Sequence, residues 1–430
     1  MSPRPTPSRR DVLRLALAGT GVAALGPVGR GVSLARAGAV VQPKRLVVVH
    51  LDGGVDSLNL LIPRTLPSYF SRRPTLAVPD ASSLSLAGGP GTTAYRLHPR
   101  LPKLAARWAA GDVAFVHRTG YPTENLSHFE SQDIYGSAVR GGTAAFGQLG
   151  IAPSGWMARL ADHYAPTPLG AVSLGMGRPP HLVGGTTPTL QIGGLWAFQF
   201  WPDWHDGYGH DRRKQYARDA LELATASGVE GEVRTALLQA HDLSGQIQTA
   251  SADHDTFLTN QGIAYPDSGI AGRLRDAASL VHANFESRVI LTSFGGFDTH
   301  GNQGGTSGWL PDLFGELDDA LDAFAADLVA QGRWDDVVVV LYSEFGRRSY
   351  ENASGGTDHG AAYETVLLGG AVQGGLYGPD LVDADLQDEY PLYAVDFRDV
   401  LKELVSDHLG FDPAPVFPES WPNATTLGLV

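Results

Sequence analysis

The 430-residue sequence predicts an α/β protein whose mostly parallel sheet is flanked by helices. Short, continuous apolar runs recur along the chain, as expected for strands that are covered on both faces. A strand–helix–strand order is present within residues 288–342, which is typical of a parallel βαβ unit. The composition, 43% hydrophobic and 18% charged, supports a large core and excludes global disorder.

Five apolar runs predict the strands of this sheet. They comprise residues 44–51, 112–117, 288–293, 336–342 and 365–368. Each run is short and continuous, so it is expected to be a buried strand and not one face of a surface helix.

Residues 310–328 predict the helix of the βαβ unit. Apolar side chains recur there at three- and four-residue steps, and Gly332 is expected to end the helix. The intervening acidic side chains are interpreted as its solvated face; they are Glu316, Asp318, Asp319 and Asp322.

Residues 180–285 predict a helical and loop insertion, or cap, on a single domain that spans residues 38–430. The segment begins with aromatic residues from Trp196 to Trp204. These aromatics are expected to pack beneath the cap, and the alternative is a platform for carbohydrate or aryl groups. Polar helices are expected around residues 211–226, 229–249 and 268–286.

The N-terminal residues 1–37 predict a signal peptide of the twin-arginine type. Arg9-Arg10 precedes an apolar run at residues 15–25, and Ala35-Arg36-Ala37 has the small-residue pattern of a cleavage site. The expected partner is the twin-arginine export machinery, and the expected location is periplasmic, cell-surface or secreted. No stretch of the mature chain is long and apolar enough to predict a membrane span.

Charge and cysteine content exclude several classes of protein. The net charge is −14, and it becomes −19 without residues 1–37, which hold six arginines and one aspartate. Such a charge argues against a nucleic-acid partner. The absence of cysteine excludes disulfides, thiolate metal sites and thiol nucleophiles.

Polar clusters lie next to all five predicted strands, where ligand sites of open α/β sheets occur. The clusters are residues 52–59, 121–130, 297–303, 343–348 and 356–360. Their Asp, Glu and His side chains are ligands suited to Zn, Mg, Mn or Ca. The sequence therefore predicts a divalent metal site at one rim of the sheet.

Several of these blocks resemble the domain-of-unknown-function family 1501, over about residues 45–412. The motifs that carry the resemblance are Asp52, Gly155-Trp156, Ser127-His128, Phe297-Asp298-Thr299-His300, Ser343-Glu344-Phe345-Gly346-Arg347, Gly356-Thr357-Asp358-His359-Gly360 and Asp396-Phe397-Arg398. That family is typically exported and is grouped with the alkaline phosphatase-like fold. The resemblance implies a metal-dependent hydrolase scaffold of the phosphatase, sulfatase and phosphodiesterase kind.

The resemblance also implies site residues. The implied metal ligands are Asp52, Asp298, His300, Glu344 and His359. Phe345 stands where the wider superfamily carries an imidazole, so one metal is expected and not two. The implied catalytic residues are Ser127 as nucleophile, His128 as base or ligand, and Arg347 or Arg348 as the cation that neutralises the anion.

Structural roles remain open for many of these side chains. Ser127 is also placed to cap a helix with Glu130, and Glu344 with Arg347 could form a structural ion pair. The remaining structural roles are turn formation by Asp52 and Asp56, a loop pair of Asp298 with His300, a backbone contact of His359, and core packing of His50 and His117.

The function expected from these observations is hydrolysis of an anionic phosphate or sulfate ester, either a small molecule or a polymer. One alternative is a non-catalytic binding or assembly protein on a degenerate alkaline phosphatase-like scaffold. Another is an acidic extracellular protein that Ca²⁺ stabilises.

Overall fold

The computed structural model describes residues 42–86, 93–140, 154–175, 177, 179–199, 210–225, 227–420 and 425–430. The predicted signal peptide lies outside these residues, as do Trp201 and Trp204.

Five of the strands in the described residues follow the predicted apolar runs. In chain order the strands are β1 (Arg45–Asp52), β2 (Leu61–Ile62), β3 (Leu84–Ser85), β4 (Arg96–Leu97), β5 (Val113–Gly120), β6 (Ala171–Leu174), β7 (Leu190–Ile192), β8 (Val289–Gly295), β9 (Val337–Tyr342), β10 (Gly346–Arg347), β11 (His359–Gly360), β12 (Tyr363–Leu368), β13 (Gly375–Tyr377) and β14 (Val395–Asp396). The five predicted strands correspond to β1, β5, β8, β9 and β12, which confirms each of them.

The helices pack around the main sheet. They are α1 (Ser57–Leu60), α2 (Pro67–Ser71), α3 (Pro102–Ala110), α4 (His128–Ser137), α5 (Trp156–Tyr164), α6 (His210–Leu223), α7 (Gly228–Gln261), α8 (Gly269–His282), α9 (Trp309–Ala330), α10 (Asp383–Gln387) and α11 (Phe397–Glu403). Helix α8 packs against α9 and β8, and α3 packs against α9 and β5. None of the helices in the described ranges is both long enough and apolar enough to cross a membrane.

Nine strands form one mixed sheet, so the predicted α/β class with flanking helices is confirmed. The order is β13-β5-β12-β9-β1-β8-β6-β7, and β14 also pairs with β5. Strand β12 is antiparallel to both β5 and β9, whereas β1 is parallel to β8 and β9. Because β12 is reversed, its first residues lie at the same rim as the carboxyl ends of β5, β9, β1 and β8.

The core is centred on β1. Val47 and Val48 point to opposite faces of the sheet, since side chains alternate along a strand, and both are at most 1% exposed. Both faces of the central strand are therefore covered. This coverage explains why the strand is a continuous apolar run and does not alternate with polar residues.

Helix α9 confirms the predicted amphipathic helix but corrects the interpretation of Asp318. This side chain is buried and accepts hydrogen bonds from the backbone N–H groups of Lys103 (3.0 Å) and Leu104 (2.8 Å). Those N–H groups belong to the first turn of α3, where helical donors have no partner within the helix. Asp318 therefore caps α3 and does not belong to the solvated face.

Replacing Asp318 with asparagine is expected to change how stability depends on pH. Burial raises the pKa of Asp318 to about 6, from an ordinary value of about 3.9. The contribution of this group is complete below about pH 3.9 and is lost as the pH rises through about 6, because the unfolded chain ionises first. The difference in the free energy of unfolding between Asp318→Asn and wild type, measured by urea unfolding, should therefore shift by about 2–3 kcal/mol in favour of the variant as the pH is raised from 4 to 7.

The neighbouring exposed residue supplies the control for this measurement. Asp319 has a side chain that is 55% exposed and pairs with Lys103 at the surface. The Asp319→Asn variant should show no such pH-dependent gain. Parallel stability curves for wild type and Asp318→Asn would contradict the assignment.

Residues 180–285 contain the three predicted helices as α6, α7 and α8, although α7 continues to Gln261. The aromatic residues near the start of this segment differ in exposure: Phe198 is buried, whereas Trp196 is 72% exposed. Core packing is thus wrong for Trp196. The interpretation of the segment as a cap stays a prediction.

Candidate metal centre

The polar clusters next to β1, β5, β8, β9 and β12 meet at one rim of the sheet. His128 begins α4 after β5, Asp298 and His300 follow β8, Glu344 follows β9, and His359 lies in β11 just before β12. The side chains come together because four of these strands end at this rim and the reversed β12 begins there.

A glycine turn after β1 allows the loops to approach closely. Gly53 and Gly54 have positive φ angles of 121° and 77°, and residues other than glycine rarely adopt such backbone conformations. A Cβ atom on Gly53 would lie 2.3 Å from the backbone nitrogen of Asp298, and one on Gly54 would lie 2.4 Å from the Phe345 ring. Glycine is therefore required for the loops that carry Asp298 and Glu344 to meet.

Three imidazoles surround the carboxylate of Asp298. Its Oδ1 lies 3.0 Å from Nε2 of His300 and 3.2 Å from Nε2 of His359, and its Oδ2 lies 3.6 Å from Nε2 of His128. The Nε2 atoms of His300 and His359 are 3.0 Å apart. The ligand atoms of His128, Asp298 and His359 all lie within 4.8 Å of one another.

The opposite ring nitrogen of each imidazole is already engaged. Each Nδ1–H donates to an acceptor, and the three acceptors are Glu344 Oε1 (2.7 Å, from His128), Asp358 Oδ1 (3.0 Å, from His300) and the backbone oxygen of Leu126 (2.8 Å, from His359). In the neutral rings, all three Nε2 atoms therefore present lone pairs. Tying Nδ1–H to a carboxylate or a carbonyl is the usual way in which proteins orient metal-binding histidines.

Ionisation of the carboxylates supports this assignment of protons. Hydrogen bonding to His300 lowers the pKa of Asp358. Burial opposes ionisation of Glu344, but hydrogen bonds from His128 and His50 hold its pKa well below the usual range. Burial also opposes ionisation of Asp298, and the hydrogen bond and charge of Arg347 outweigh it, so that its pKa is lowered.

The consequence is that three Nε2 lone pairs face the carboxylate of Asp298, whose Oδ1 also accepts a hydrogen bond from Arg347. The Nε2 atom of His128 is buried and has no hydrogen-bond partner. Tetrahedral ligands at zinc bond lengths are separated by about 3.3–3.6 Å, and the distances to Asp298 fall in and just below this range. The residues therefore fit a divalent cation, which can satisfy all of these acceptors together.

Glu344 lies beneath this set and supports it. The carboxylate is fully buried and accepts hydrogen bonds from His50 Nε2 (3.0 Å), His128 Nδ1 (2.7 Å) and the backbone N–H of Gly53 (3.0 Å). The Glu344 contact also raises the pKa of His128, against the opposing effect of burial. Glu344 orients His128 in this arrangement, and it shares a second group of potential ligands with His50 and Asp52.

Arg347 is buried and binds to the protein itself. Its guanidinium donates to Asp298 Oδ1 at 2.6 Å and does not pair with Glu344. Its remaining hydrogen bonds go to backbone carbonyl oxygens, those of Gly53, Gly54 (2.7 Å), Phe297 (3.1 Å) and Thr357 (2.7 Å). Arg347 thereby joins the loops after β1 and β8 to the segment before β11.

Asp52 and Ser127 lie at the solvent side of the rim. Asp52 Oδ1 accepts a hydrogen bond from Gln132 Nε2 at 2.8 Å. Ser127 occupies the position before α4, but its side chain makes no capping hydrogen bond, and the predicted capping box with Glu130 is not formed. The hydroxyl of Ser127 is therefore not used by the helix.

Phe345 is packed between the imidazoles. Its buried ring has centroid distances of 4.8 Å to His128 and 4.6 Å to His359. An apolar ring therefore fills the space between these two imidazoles. It limits the space in which these two imidazoles can turn.

His50 and Asp358 contact the site, although neither was named from the sequence as a metal ligand or a catalytic residue. His50 was interpreted as a core histidine, and it is buried, but its ring binds Glu344 and stacks on Tyr342 at 4.9 Å. Its spacing of two residues from Asp52 places both side chains on one face of β1. This two-residue spacing was the sequence signal that could have placed His50 at the site.

The fold and the site define a class: an α/β protein with imidazoles and carboxylates gathered at the rim of a mixed sheet. Residues 213–417 match the profile of a family described as Protein of unknown function (DUF1501), which confirms the resemblance predicted from the motifs. Among curated proteins, none matches the chain.

Solved structures with some similarity include three enzymes. They are a lipoteichoic acid synthase from Listeria monocytogenes (9% identity, 76% of this chain, 65% of that chain, TM-score 0.31), a sulfatase from Pseudoalteromonas sp. (11%, 95%, 72%, 0.32) and an alkaline phosphatase from the Antarctic bacterium TAB5 (10%, 76%, 92%, 0.31). The chain spans about two thirds of the length of the synthase. Similarity at this level assigns no residue role in this chain.

Proposed function

We propose that this protein is an exported, metal-dependent hydrolase of anionic phosphate or sulfate esters on an alkaline phosphatase-like scaffold. The observation that carries the proposal is the arrangement around Asp298: the Nε2 atoms of three imidazoles, which donate through Nδ1 to other groups, face its carboxylate. The family resemblance supports the hydrolase class, and the twin-arginine pattern in residues 1–37 supports export.

The ligands in this proposal are His128, Asp298 and His359, with His300 beside them. Imidazole-rich sets suit zinc and related transition metals better than Mg²⁺ or Ca²⁺. Such an ion polarises an ester oxygen and stabilises the charge that develops in the transition state. Glu344 and Asp358 are proposed as partners that orient the rings, and Asp52 as a carboxylate at the edge of the site.

Ser127 is proposed as the nucleophile, because it directly precedes His128 and its hydroxyl is not used in capping α4. Arg347 is proposed as a positioning residue and not as the cation that binds the substrate, since its guanidinium is engaged by Asp298 and by carbonyl oxygens. Arg348, which pairs with Glu389 and is 27% exposed, is the adjacent cation with access to solvent.

One observation favours a second candidate, a metal-stabilised protein without catalytic activity. If His300 binds together with His128, Asp298 and His359, four protein ligands fill a tetrahedral ion, as in structural zinc sites. Catalytic sites instead keep a position open for water or substrate. In this second candidate, the protein binds or assembles with a partner on the same scaffold.

Purified full-length protein is expected to bind about one zinc ion per chain, with Mg²⁺ and Ca²⁺ binding far more weakly. Metal at about a thousand times its dissociation constant should add about 4 kcal/mol to the free energy of unfolding. Elemental analysis and unfolding with and without a chelator would measure both effects. The loaded protein should hydrolyse members of a panel of phosphate monoesters, phosphate diesters and sulfate esters.

The possible results separate the candidates. Zinc binding with ester turnover supports the hydrolase. Zinc binding without turnover across the panel supports the metal-stabilised protein without catalytic activity. Protein that takes up no zinc, even after addition of the metal, contradicts both.

A further inference from the structure

Two threonine hydroxyls beside the metal centre share one buried acceptor. The Oε1 atom of Gln303 accepts hydrogen bonds from the hydroxyls of Thr299 (2.8 Å) and Thr357 (2.7 Å), and all three residues are buried. Thr299 directly follows Asp298 in the chain, and Thr357 lies two residues before His359. The amide oxygen of Gln303 therefore joins the loop after β8 to the segment that leads into β11.

Only one orientation of the Gln303 amide fits its surroundings. Its Nε2 atom donates to Asp56 Oδ2 at 2.6 Å, and Asp56 forms a buried ion pair with Arg73 at 2.7 Å. A carboxylate paired with a guanidinium accepts hydrogen bonds and donates none, so the NH2 end of the amide must face Asp56 and the oxygen must face the threonines. Arg73 also donates to the carbonyl oxygens of Arg348 (2.6 Å) and Ser349 (3.0 Å). The direction of the amide is therefore fixed by groups that are anchored on the loop after β9.

The backbones of the two joined segments are in direct contact. The N–H of Thr357 donates to the carbonyl oxygen of Thr299 at 3.0 Å, and the N–H of Gln303 donates to that of Gly355 at 2.9 Å. A Cβ atom on Gly356 would lie 2.3 Å from the carbonyl oxygen of Thr299. Because the segments are this close, a side chain of different length or polarity at position 303 has to shift one of them against the other.

Such a shift changes the distances between the groups that face the proposed metal. Nε2 of His300, on the loop after β8, lies 3.0 Å from Nε2 of His359 in β11. Both atoms also lie within 3.2 Å of Asp298 Oδ1. Since a metal site requires its ligands to be held to within about 0.5 Å, a displacement of one segment by that amount weakens binding of the cation.

We propose that Gln303 is a positioning residue of the metal centre, because its amide sets the spacing between the two segments that carry Asp298 and His359. Asp56 acts through Gln303 by fixing the direction of that amide. The inference rests on the proposed function for the presence of a metal ion. Neither Gln303 nor Asp56 takes part in the reaction. Partners that support metal ligands in this way typically change the affinity for the metal about 10–100-fold.

The test measures the zinc affinity of the full-length protein by competition with a chelator. Gln303→Met keeps a similar length but offers no hydrogen bond, and it should lower the affinity about 10–100-fold. Thr357→Val removes one hydroxyl with little change in shape, and it should lower the affinity about three- to tenfold while the protein stays folded. In both variants the absorption spectrum of bound Co²⁺, which depends on ligand geometry, should differ from that of wild type.

A paired exchange tests the direction of the amide. Gln303→Glu places a second carboxylate against Asp56 and should weaken zinc binding as Gln303→Met does. Adding Asp56→Asn returns an N–H donor to this contact, keeps an acceptor for both threonines and restores the net charge of wild type. The double variant should therefore bind zinc about tenfold more tightly than Gln303→Glu alone. No recovery in the double variant would contradict the role of Asp56.

Asp327→Asn is the matched control for a loss of buried hydrogen bonds. Asp327 is a fully buried carboxylate of α9 that accepts hydrogen bonds from three other side chains, those of His254 (2.9 Å), Tyr265 (2.7 Å) and Gln331 (2.8 Å). Its substitution should lower the free energy of unfolding and leave the zinc affinity and the Co²⁺ spectrum unchanged.

Wild-type zinc affinity in both Gln303→Met and Thr357→Val would overturn the inference. An equal loss of zinc affinity in Asp327→Asn would also overturn it, because the effect would then follow from lower stability alone. In either case, zinc binding by wild type leaves the proposed function in place. Wild-type protein that takes up no zinc rejects the proposed function and this inference together.

Discussion

Replacing Asp298 with asparagine is expected to weaken zinc binding on the order of 100-fold or more and to reduce ester hydrolysis at least as strongly. Asparagine keeps the shape of the side chain but removes the charge that faces Nε2 of His300 and His359. Without that charge, the imidazoles alone must hold the cation. His359→Ala should have a similar effect, because it removes a ring oriented by the carbonyl of Leu126.

Three further variants show whether these losses come from the metal. Asp358→Asn should lower zinc affinity about 10–100-fold, since it removes the negative charge of the carboxylate that orients His300 and leaves a neutral amide oxygen as the acceptor. Ser127→Ala should keep the metal and lose turnover. Asp312→Asn changes a carboxylate on α9 that is 75% exposed and should leave both properties unchanged.

Zinc titration, turnover and thermal unfolding should be measured on each of these variants. If Asp298→Asn and His359→Ala both retain one tightly bound zinc, then these residues are not the ligands. If they lose the metal while hydrolysis continues, the reaction takes place elsewhere in the protein. Unfolding data are needed because Asp298 also binds Arg347.

Arg347→Met is expected to cause the largest loss of stability among the variants considered, about 3–5 kcal/mol in the free energy of unfolding. The guanidinium is buried and satisfies four backbone carbonyl oxygens together with Asp298. Methionine fills similar volume but donates no hydrogen bond, so these acceptors and the Asp298 charge lose their partner. Arg347→Lys should recover only part of the loss, because an ammonium group cannot reproduce the planar fork of donors.

The adjacent residue provides the comparison. Arg348 is partly exposed and pairs with Glu389, which is itself 53% exposed, so Arg348→Met should cost at most about 1 kcal/mol. Urea unfolding of the metal-free proteins separates this effect from metal binding. An Arg347→Met protein with wild-type stability but no turnover would contradict the positioning role and would favour direct contact with the substrate.

The central strands of the sheet could be predicted because burial on both faces requires a continuous run of apolar residues, which is visible in the sequence. The segment that forms β9 contains four consecutive valines, and β1 contains three. These continuous apolar runs were sufficient to locate both strands in the sequence. The clusters next to these strands could then be assigned to one rim, because parallel strands end together. The same rule succeeds for the residues before β12 only because that strand is reversed.

Individual contacts were not predictable in this way. Asp318 looked like a solvated acid, because helical periodicity does not show that a second helix begins against it. His50 looked like a core residue, because its partner Glu344 is 294 residues away. The pairing of Arg347 with Asp298, and not with Glu344, depends on how three loops close around the guanidinium.

The sequence alone determined that this is an α/β protein with Asp, Glu and His residues next to its strand ends. Period, apolarity and chain order are local properties, and they were enough for that conclusion. Only the tertiary structure decided that His128, His300 and His359 direct Nε2 toward Asp298, with Glu344 beneath them and Arg347 joining the loops. The reason is that ring orientation and proton position depend on hydrogen-bond partners distant in the chain, which no local pattern records.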